Sequence, residues 1–325
     1  MNFEIPKEVN TGKVAEVTIG ATSEQGGTRS HTVTIGGSTS LPFHFFEGQH
    51  PHRPAVAMEV FDKTPKKYLD SLMDYFGDVI DKPGEMAKKC VDEYGAELIS
   101  VRLEGTHPEK GDKSAEEAAE TVQQVLESVS VPLIISGHSH FEKINKVMKK
   151  VCEVTEGENC LINYVETDNY KTIAAACIVY KHTLVAQSPI DVNLAKQLNI
   201  LLTDMNFPPE RIVMDPLTST LGYGLEYTYS IMERIRNDGL AGDKMLAFPM
   251  LINPGYESFR VKETWAPEKE YPDWGNLEQR AAYWEIATAM SLLLTGTELL
   301  IMYHPRAFEV VKNKIIEMYE SKKES

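Results

Sequence analysis

Side chains able to handle a ligand recur in this chain at one kind of place, directly after a short apolar run. Asp62, Arg102 with Glu104, His138, Asn163, Gln187, Asp215, and Tyr303 with His304 all stand there, with Met250 as the apolar member of the set. Neutral amides, imidazoles and hydroxyls dominate. Such groups hydrogen-bond a large polar ligand, whereas acid–base hydrolysis calls for a matched pair of carboxylates. The densest stretch runs from Arg211 to Gly224. Ile212, Val213 and Met214 read as a strand buried on both faces, Asp215 closes it, and Pro216 stops it from running on. Thr218, Ser219 and Thr220 then offer hydroxyls, while Gly222 and Gly224 permit a sharp turn or a close approach of backbone to a ligand. The helix that follows from Leu225 carries Glu226 near its positive end. The candidate ligand-binding residues are therefore His138, Asn163, Gln187, Asp215, Thr218, Ser219, Thr220 and Gly222. No catalytic residue stands out. The plainer alternative is an ordinary strand–loop–helix unit, because a lone Gly-x-Gly is weak evidence.

Two His-x-His motifs invite a metal reading, and spacing argues against both. His50-Pro-His52 precedes the first regular strand, and Ser139 between His138 and His140 reads as a helix cap. Metal-dependent hydrolase barrels place an Asp after their last strand, where this chain has Tyr303-His304. His107 and His182 stand alone in sequence and are expected at the surface or as caps. Cys90, Cys152, Cys160 and Cys177 form no Cys-x-x-Cys pair, so they read as small buried hydrophobes and not as cluster or zinc ligands.

The elements that must position the candidates are regular. Short apolar strands are expected near 55–61, 97–103, 132–137, 160–165, 183–187, 211–215, 246–250 and 299–303, with amphipathic helices between them. Ser114-x-x-Glu117 is a capping box, and Ser139-x-x-Glu142 reads as a second. Ser188-Pro189 and His304-Pro305 place proline at a first helical position. Eight β/α units predict a TIM (β/α)8 barrel over residues 54–325, and no glycine fingerprint follows the first strand to favour a dinucleotide fold. Residues 1–53 form a separate cap. The alternating runs 14–20 and 31–36 predict a β-hairpin over the bottom of the barrel, followed by an irregular segment in which Phe43, Phe45 and Phe46 pack. Asn253 to Asn276 is out of scale for a barrel loop, and its Tyr256, Trp265, Tyr271 and Trp274 predict a lid or partner-facing insertion.

Acidic residues outnumber basic ones 48 to 33, for a net charge of −15. That balance disfavours nucleic acid and anionic membranes as partners, since both require basic patches. The first residues show no leader pattern, and the apolar run Ala287–Tyr303 is broken by Thr295-Gly-Thr-Glu298, so the chain is expected in the cytoplasm.

Four longer segments carry a family resemblance. Glu24-Gln-Gly-Gly-Thr-Arg-Ser-His through Gly37, Leu41-Pro-Phe through Gly48, Gly111-Asp-Lys-Ser114, and Met214-Asp-Pro through Tyr229 resemble the small subunit of corrinoid iron–sulfur proteins. The same family supplies the delta subunit of acetyl-CoA decarbonylase/synthase complexes. The resemblance implies a barrel that pairs with a large subunit and shares with it a cobamide, a cobalt corrinoid. The 4Fe–4S cluster belongs to that partner chain. It further implies methyl transfer from methyltetrahydrofolate, through a separate folate-dependent methyltransferase, to acetyl-CoA synthase in the reductive acetyl-CoA pathway of anaerobes. The individual corrinoid contacts do not follow from it. A chain whose cofactor carries the chemistry needs no strong base of its own, which agrees with the strand-end set. The competing reading is a stand-alone pterin-dependent methyltransferase barrel, with Asn163 and Asp215 serving the pterin; a metal hydrolase is a third.

Overall fold

Strands short enough to be apolar on both faces must be covered on both faces, and this chain meets that demand by closing them into a ring. The computed structural model describes residues 5–65 and 69–320. Its barrel strands are β3 (Ala55–Phe61), β4 (Ile99–Arg102), β5 (Leu133–Ser136), β6 (Leu161–Val165), β7 (Thr183–Gln187), β8 (Ile212–Asp215), β9 (Met250–Ile252) and β10 (Thr297–Met302). They are parallel and close in the order β10-β3-β4-β5-β6-β7-β8-β9. Before them, β1 (Glu16–Ile19) and β2 (Val33–Gly36) form an antiparallel hairpin. The expected (β/α)8 barrel with an N-terminal hairpin is the observed architecture.

Alternation along each strand sorts the side chains into two cores. Met58, Val60, Ile99, Val101, Leu133, Ile135 and their neighbours face outward and meet the helices in the larger core. Ala57, Leu98, Ile134, Leu161, Val185, Val213, Leu251, Leu299 and Ile301 face inward, where Val17, Ile19 and Ile35 of the hairpin join them. The hairpin is thus a plug in the amino-terminal end of the barrel. Helix α3 (Ala115–Ser128) begins at the expected capping box: Glu117 N–H donates to Ser114 Oγ at 3.1 Å, and Ser114 N–H to the Glu117 carboxylate at 2.7 Å.

Four local expectations need correction. The seventh barrel strand starts at Met250 instead of ending there, because Pro249 has no N–H to give the ladder and the strand forms only beyond it. Asn253, not Met250, is therefore the strand-end residue. Helix α4 (Phe141–Val154) is capped by His140, whose Nδ1 accepts from Lys143 N–H, and not by Ser139. Helix α6 (Val192–Asp204) is capped by Asp191, which accepts from Asn193 and Leu194 N–H at 2.7 and 3.0 Å; Ser188 and Pro189 stay in the loop. His182 is fully buried, joined to Cys160 N–H (3.2 Å) and Cys152 O (3.0 Å).

The run Ala287–Tyr303 divides as expected into the end of α9 (Leu277–Leu293) and β10, and among the described residues no helix is long and apolar enough to cross a membrane. The leader reading falls largely on residues 1–4, outside the described residues. Because the hairpin shares the barrel's inner core, Ile35→Ala is expected to lower unfolding free energy by about 2–5 kcal/mol in urea titration. A change near zero would mean the hairpin is a peripheral flap.

Candidate ligand site at the mouth of the barrel

Above the apolar plug the inward positions turn polar. The next side chains up the strands are Glu59, Ser100, Arg102, Ser136, Asn163, Gln187 and Asp215, all buried, with Asn253 just beyond β9. Most of their polar atoms are satisfied across strands, while Glu59 Oε2, Asn163 Oδ1 and Asn253 Oδ1 have no hydrogen-bond partner among the described residues. Arg102 Nε donates to Glu59 Oε1 at 2.9 Å, Ser100 Oγ donates to the same oxygen at 3.0 Å, and Ser136 Oγ lies 3.0 Å from Ser100 Oγ. Asn163 Nδ2 extends the chain to Ser136 Oγ at 3.0 Å. On the opposite wall Asp215 accepts from Gln187 Nε2 (2.9 Å), Asn253 Nδ2 (3.4 Å) and Leu217 N–H (2.8 Å).

Burial and charge tune these groups unequally. Desolvation alone would pull the Arg102 guanidinium down, but the Glu59 carboxylate beside it, together with Tyr303 and Tyr256, more than offsets this and holds it up. Asp215 is pushed up to about 6 by burial, against the opposing pull of Gln187 and Leu217 N–H. His138 is pushed down to about 4 by burial and by the neighbouring His107 ring. His138 Nδ1 accepts from His140 N–H (3.1 Å), so Nε2 carries the proton and donates it to Thr106 Oγ1 (2.9 Å). Both its nitrogens are engaged, and it offers the mouth a ring face rather than a metal ligand. His107 is not alone, contrary to expectation: its ring centroid is 5.0 Å from that of His138 and 5.8 Å from that of His140. Among the described residues no group of three or more His, Cys, Asp or Glu is arranged to hold a metal ion.

The long insertion after β9 builds the remaining wall. Its first helix, α8 (Pro254–Ser258), lays the Tyr256 ring over Arg102 at 4.1 Å, a cation–π contact. Gly255 makes this possible, since a Cβ there would lie 2.6 Å from the Tyr303 ring. Arg260, paired with Glu257 at 3.1 Å, projects over the opening. Two adjoining cavities result. One of about 650 Å³ is lined by Lys63, Arg102, Glu104, Lys110, Tyr256 and Arg260. The other, about 370 Å³, reaches down to Asn163, Gln187, Asp215 and Asn253.

Of the candidates read from sequence, His138, Asn163, Gln187, Asp215 and Thr218 come together around this second cavity. Ser219, Thr220 and Gly222 do not. Ser219 N–H donates to Thr228 Oγ1 (3.0 Å), Thr220 Oγ1 accepts from Trp284 Nε1 (2.8 Å), and Gly222, at φ +74°, faces the Trp284 ring. Thr218 Oγ1 accepts from Asn253 N–H at 2.8 Å, tying the two loops together. Sequence reasoning missed Glu59, Asn253, Tyr256 and Arg260 as parts of the site. Only Glu59 had a local signal, a carboxylate inside the apolar run Ala55–Phe61.

Comparison with known proteins identifies the lineage. The family described as "CO dehydrogenase/acetyl-CoA synthase delta subunit" matches residues 16–298. The chain belongs to this family. An Archaeoglobus fulgidus protein named acetyl-CoA decarbonylase/synthase complex subunit delta is 41% identical over 316 residues, 95% of this chain and 69% of its own length. The protein of that name in Methanocaldococcus jannaschii is 35% identical over 313 residues, 96% of this chain and 76% of its own. Among solved structures, dihydropteroate synthase from Stenotrophomonas maltophilia aligns with a TM-score of 0.55 at 16% identity, covering 86% of this chain and 98% of that one. That likeness supports the barrel fold alone.

In this delta-family barrel Asp215 gives a direct handle on the polar layer. Burial raises its folded-state pKa above the ordinary 3.8, to about 6, so the folded chain holds that proton more tightly than the unfolded chain. Its contribution is complete below about pH 4 and drains away as pH rises toward about 6. Asp215→Asn removes the titration. The stability difference, wild type minus variant, is expected to fall across that window in urea unfolding; a pH-independent difference would count against the buried, shifted carboxyl.

Proposed function

We propose that this barrel is the small, cluster-free half of a corrinoid iron–sulfur protein, holding a cobamide across its mouth together with a large subunit. Membership of the delta-subunit family carries the reading. The relatives are named as subunits of acetyl-CoA decarbonylase/synthase complexes, which supports a role in an assembly and not as a free enzyme. In that role the 4Fe–4S cluster resides on the partner chain. The methyl group comes from methyltetrahydrofolate by way of a folate-dependent methyltransferase and passes on to acetyl-CoA synthase, in the cytoplasm of an anaerobe fixing carbon.

The residues present fit the group. An eight-stranded barrel has an interior wide enough for side chains or one small ligand, so a macrocycle would be held by residues of the rim. The rim supplies what amide and phosphate substituents need: the Thr218 hydroxyl, the Gln187 amide, and the cations Lys110 and Arg260. Asn163 and Asp215, lower in the cavity, would line the floor beneath the group, and His138 would contribute a ring face. When bound, the cobamide supplies the nucleophilic cobalt that accepts and donates the methyl group. This chain's own residues orient it, exclude water from one face and place no competing nucleophile beneath it. Ser219, Thr220 and Gly222 serve indirectly, by bracing Thr218 through α7 (Leu225–Leu240) and α9.

Co-expressed with a cluster-bearing large subunit, the chain is expected to yield a heterodimer with stoichiometric cobalt and a corrinoid absorption spectrum. Thr218→Val and Arg260→Ala are each expected to lower retained cobalt by up to about tenfold under dialysis, in proportion to one lost hydrogen bond. A chain that pairs with no large subunit, or variants with full retention, would refute this placement.

A further inference from the structure

The outer face of a barrel helix meets water and ordinarily carries charge. Helix α4 obeys, showing Glu142, Lys146, Lys149 and Glu153 to solvent, and α7 does so with Glu226, Glu233, Arg234 and Asp238. Helix α5 (Tyr170–Tyr180) does not. From Ile173 to Tyr180 it holds no charged or amide side chain, and its outward positions there are Ala175, Ile178 and Val179. A helix apolar on every side is normally covered on every side. Beside it, α6 turns Leu194 and Ile200 outward. Four aliphatic side chains thus share one flank of the barrel: Val179 is 64% exposed, and Ile178, Leu194 and Ile200 are each more than a third exposed.

Charge says what kind of surface covers this flank. The chain carries a net −15, so a second copy is repelled by most of the surface and approaches only where charge is absent or complementary. The flank meets both conditions. At its lower edge Lys181, the residue at φ +64° that ends α5, is exposed, and so is Asp204 at the last position of α6. Neither has an ion-pair partner among the described residues. Lys196, the cation within α6, is already held by Asp243 at 2.6 Å. A two-fold axis perpendicular to the helices sets α5 on α5, and Lys181 then faces Lys171 of the second copy, a repulsive pair. An axis along the helices sets α5 of one copy on α6 of the other. Lys181 then meets Asp204 of the second copy, and the same contact recurs with the roles exchanged, as an isologous interface requires.

We propose that the α5–α6 flank is a self-association surface, through which two copies of this chain pair about a two-fold axis that runs along the helices. Both barrel mouths then open in the same direction and stay uncovered. The contact needs neither cobalt nor the large subunit, and so goes beyond the cobamide reading. Two helices of this length present a footprint of roughly 400 Å². That is about half of what one side of a standard interface buries, so the dimer is weak, with a Kd on the order of 10–100 µM.

Sedimentation velocity of the purified full-length chain, at concentrations up to about 300 µM, tests this. A reversible monomer–dimer equilibrium is expected. Val179→Lys, checked for a native circular-dichroism spectrum, is expected to weaken association about tenfold or more. Tyr227→Lys, at the rim of the mouth, is expected to leave it unchanged. Lys181→Glu and Asp204→Lys each set like charges together at both symmetric contacts, and each is expected to weaken association about fivefold. Mixing these two variants, with one of them fluorescently labelled, is expected to restore wild-type association, because every contact in the mixed pair again opposes unlike charges. A folding defect, or an interaction within one chain, cannot produce that rescue. Three results would overturn the surface: a chain that stays monomeric throughout, association lost in the rim variant but kept in Val179→Lys, or a mixture that associates no more tightly than either variant alone.

Discussion

A charged side chain inside a barrel needs a counter-charge or hydrogen-bond donors beside it, and the Glu59–Arg102 pair is the contact on which the mouth of this molecule depends. Glu59 is 1% exposed and Arg102 5%, at 2.9 Å from one another. Such a pair adds little net stability, because desolvating two ions costs nearly as much as their attraction returns. Breaking it is another matter, at about 3–5 kcal/mol for one buried partner removed. The pair therefore acts as a fixed point. Ser100, Ser136 and Asn163 are strung from it by hydrogen bonds, and the Tyr256 ring rests on its guanidinium.

The fixed point needs a dry foundation, which the N-terminal hairpin supplies. Val17, Ile19 and Ile35 are fully buried against the inward residues of the barrel strands. With that end sealed, water enters the barrel from the opposite end, and the polar layer meets solvent and ligand on one side. Strand polarity then does the rest. All eight strands run the same way, so one step of alternation moves each from the apolar layer to the polar one. Val213 to Asp215, Val185 to Gln187 and Leu161 to Asn163 are the same step taken in three neighbouring strands.

That repetition explains what was legible in the sequence. The eight apolar runs, the Ser114 capping box and the strand-end positions of Asn163, Gln187 and Asp215 are local patterns, and local patterns survive without coordinates. Asn253 was hidden because the seventh strand begins only after Pro249, which displaced its reading. Tyr256 and Arg260 lie in an insertion with no period to read; their place over Arg102 is set by α8 turning back at Gly255 against Tyr303. The clustering of His107 with His138 is a contact between two loops about 30 residues apart, visible to neither spacing nor propensity. Ser219 and Thr220 misled for a simpler reason. Hydroxyls in a glycine-bearing loop look the same whether they face a ligand or a neighbouring helix.

The direction those hydroxyls face bears on how the mouth is used. Thr218 is held by Asn253, Ser219 by Thr228, Thr220 by Trp284, and Leu221 N–H by Thr288 Oγ1 at 3.2 Å. Nearly every polar group of the loop is turned inward and satisfied. What remains outside in the loop is apolar, Leu221 at 38% exposed and Tyr223 at 52%, and Tyr227 in the first turn of α7 is 65% exposed. A loop built only to cap a helix has no reason for that inversion, since water rewards the opposite arrangement. Satisfying the polar atoms internally makes the loop rigid, and a rigid rim loses little entropy when another surface closes over it. The same segment thus braces Thr218 toward the cavity and shows apolar faces away from it, the arrangement expected of a rim that the proposed partner subunit covers.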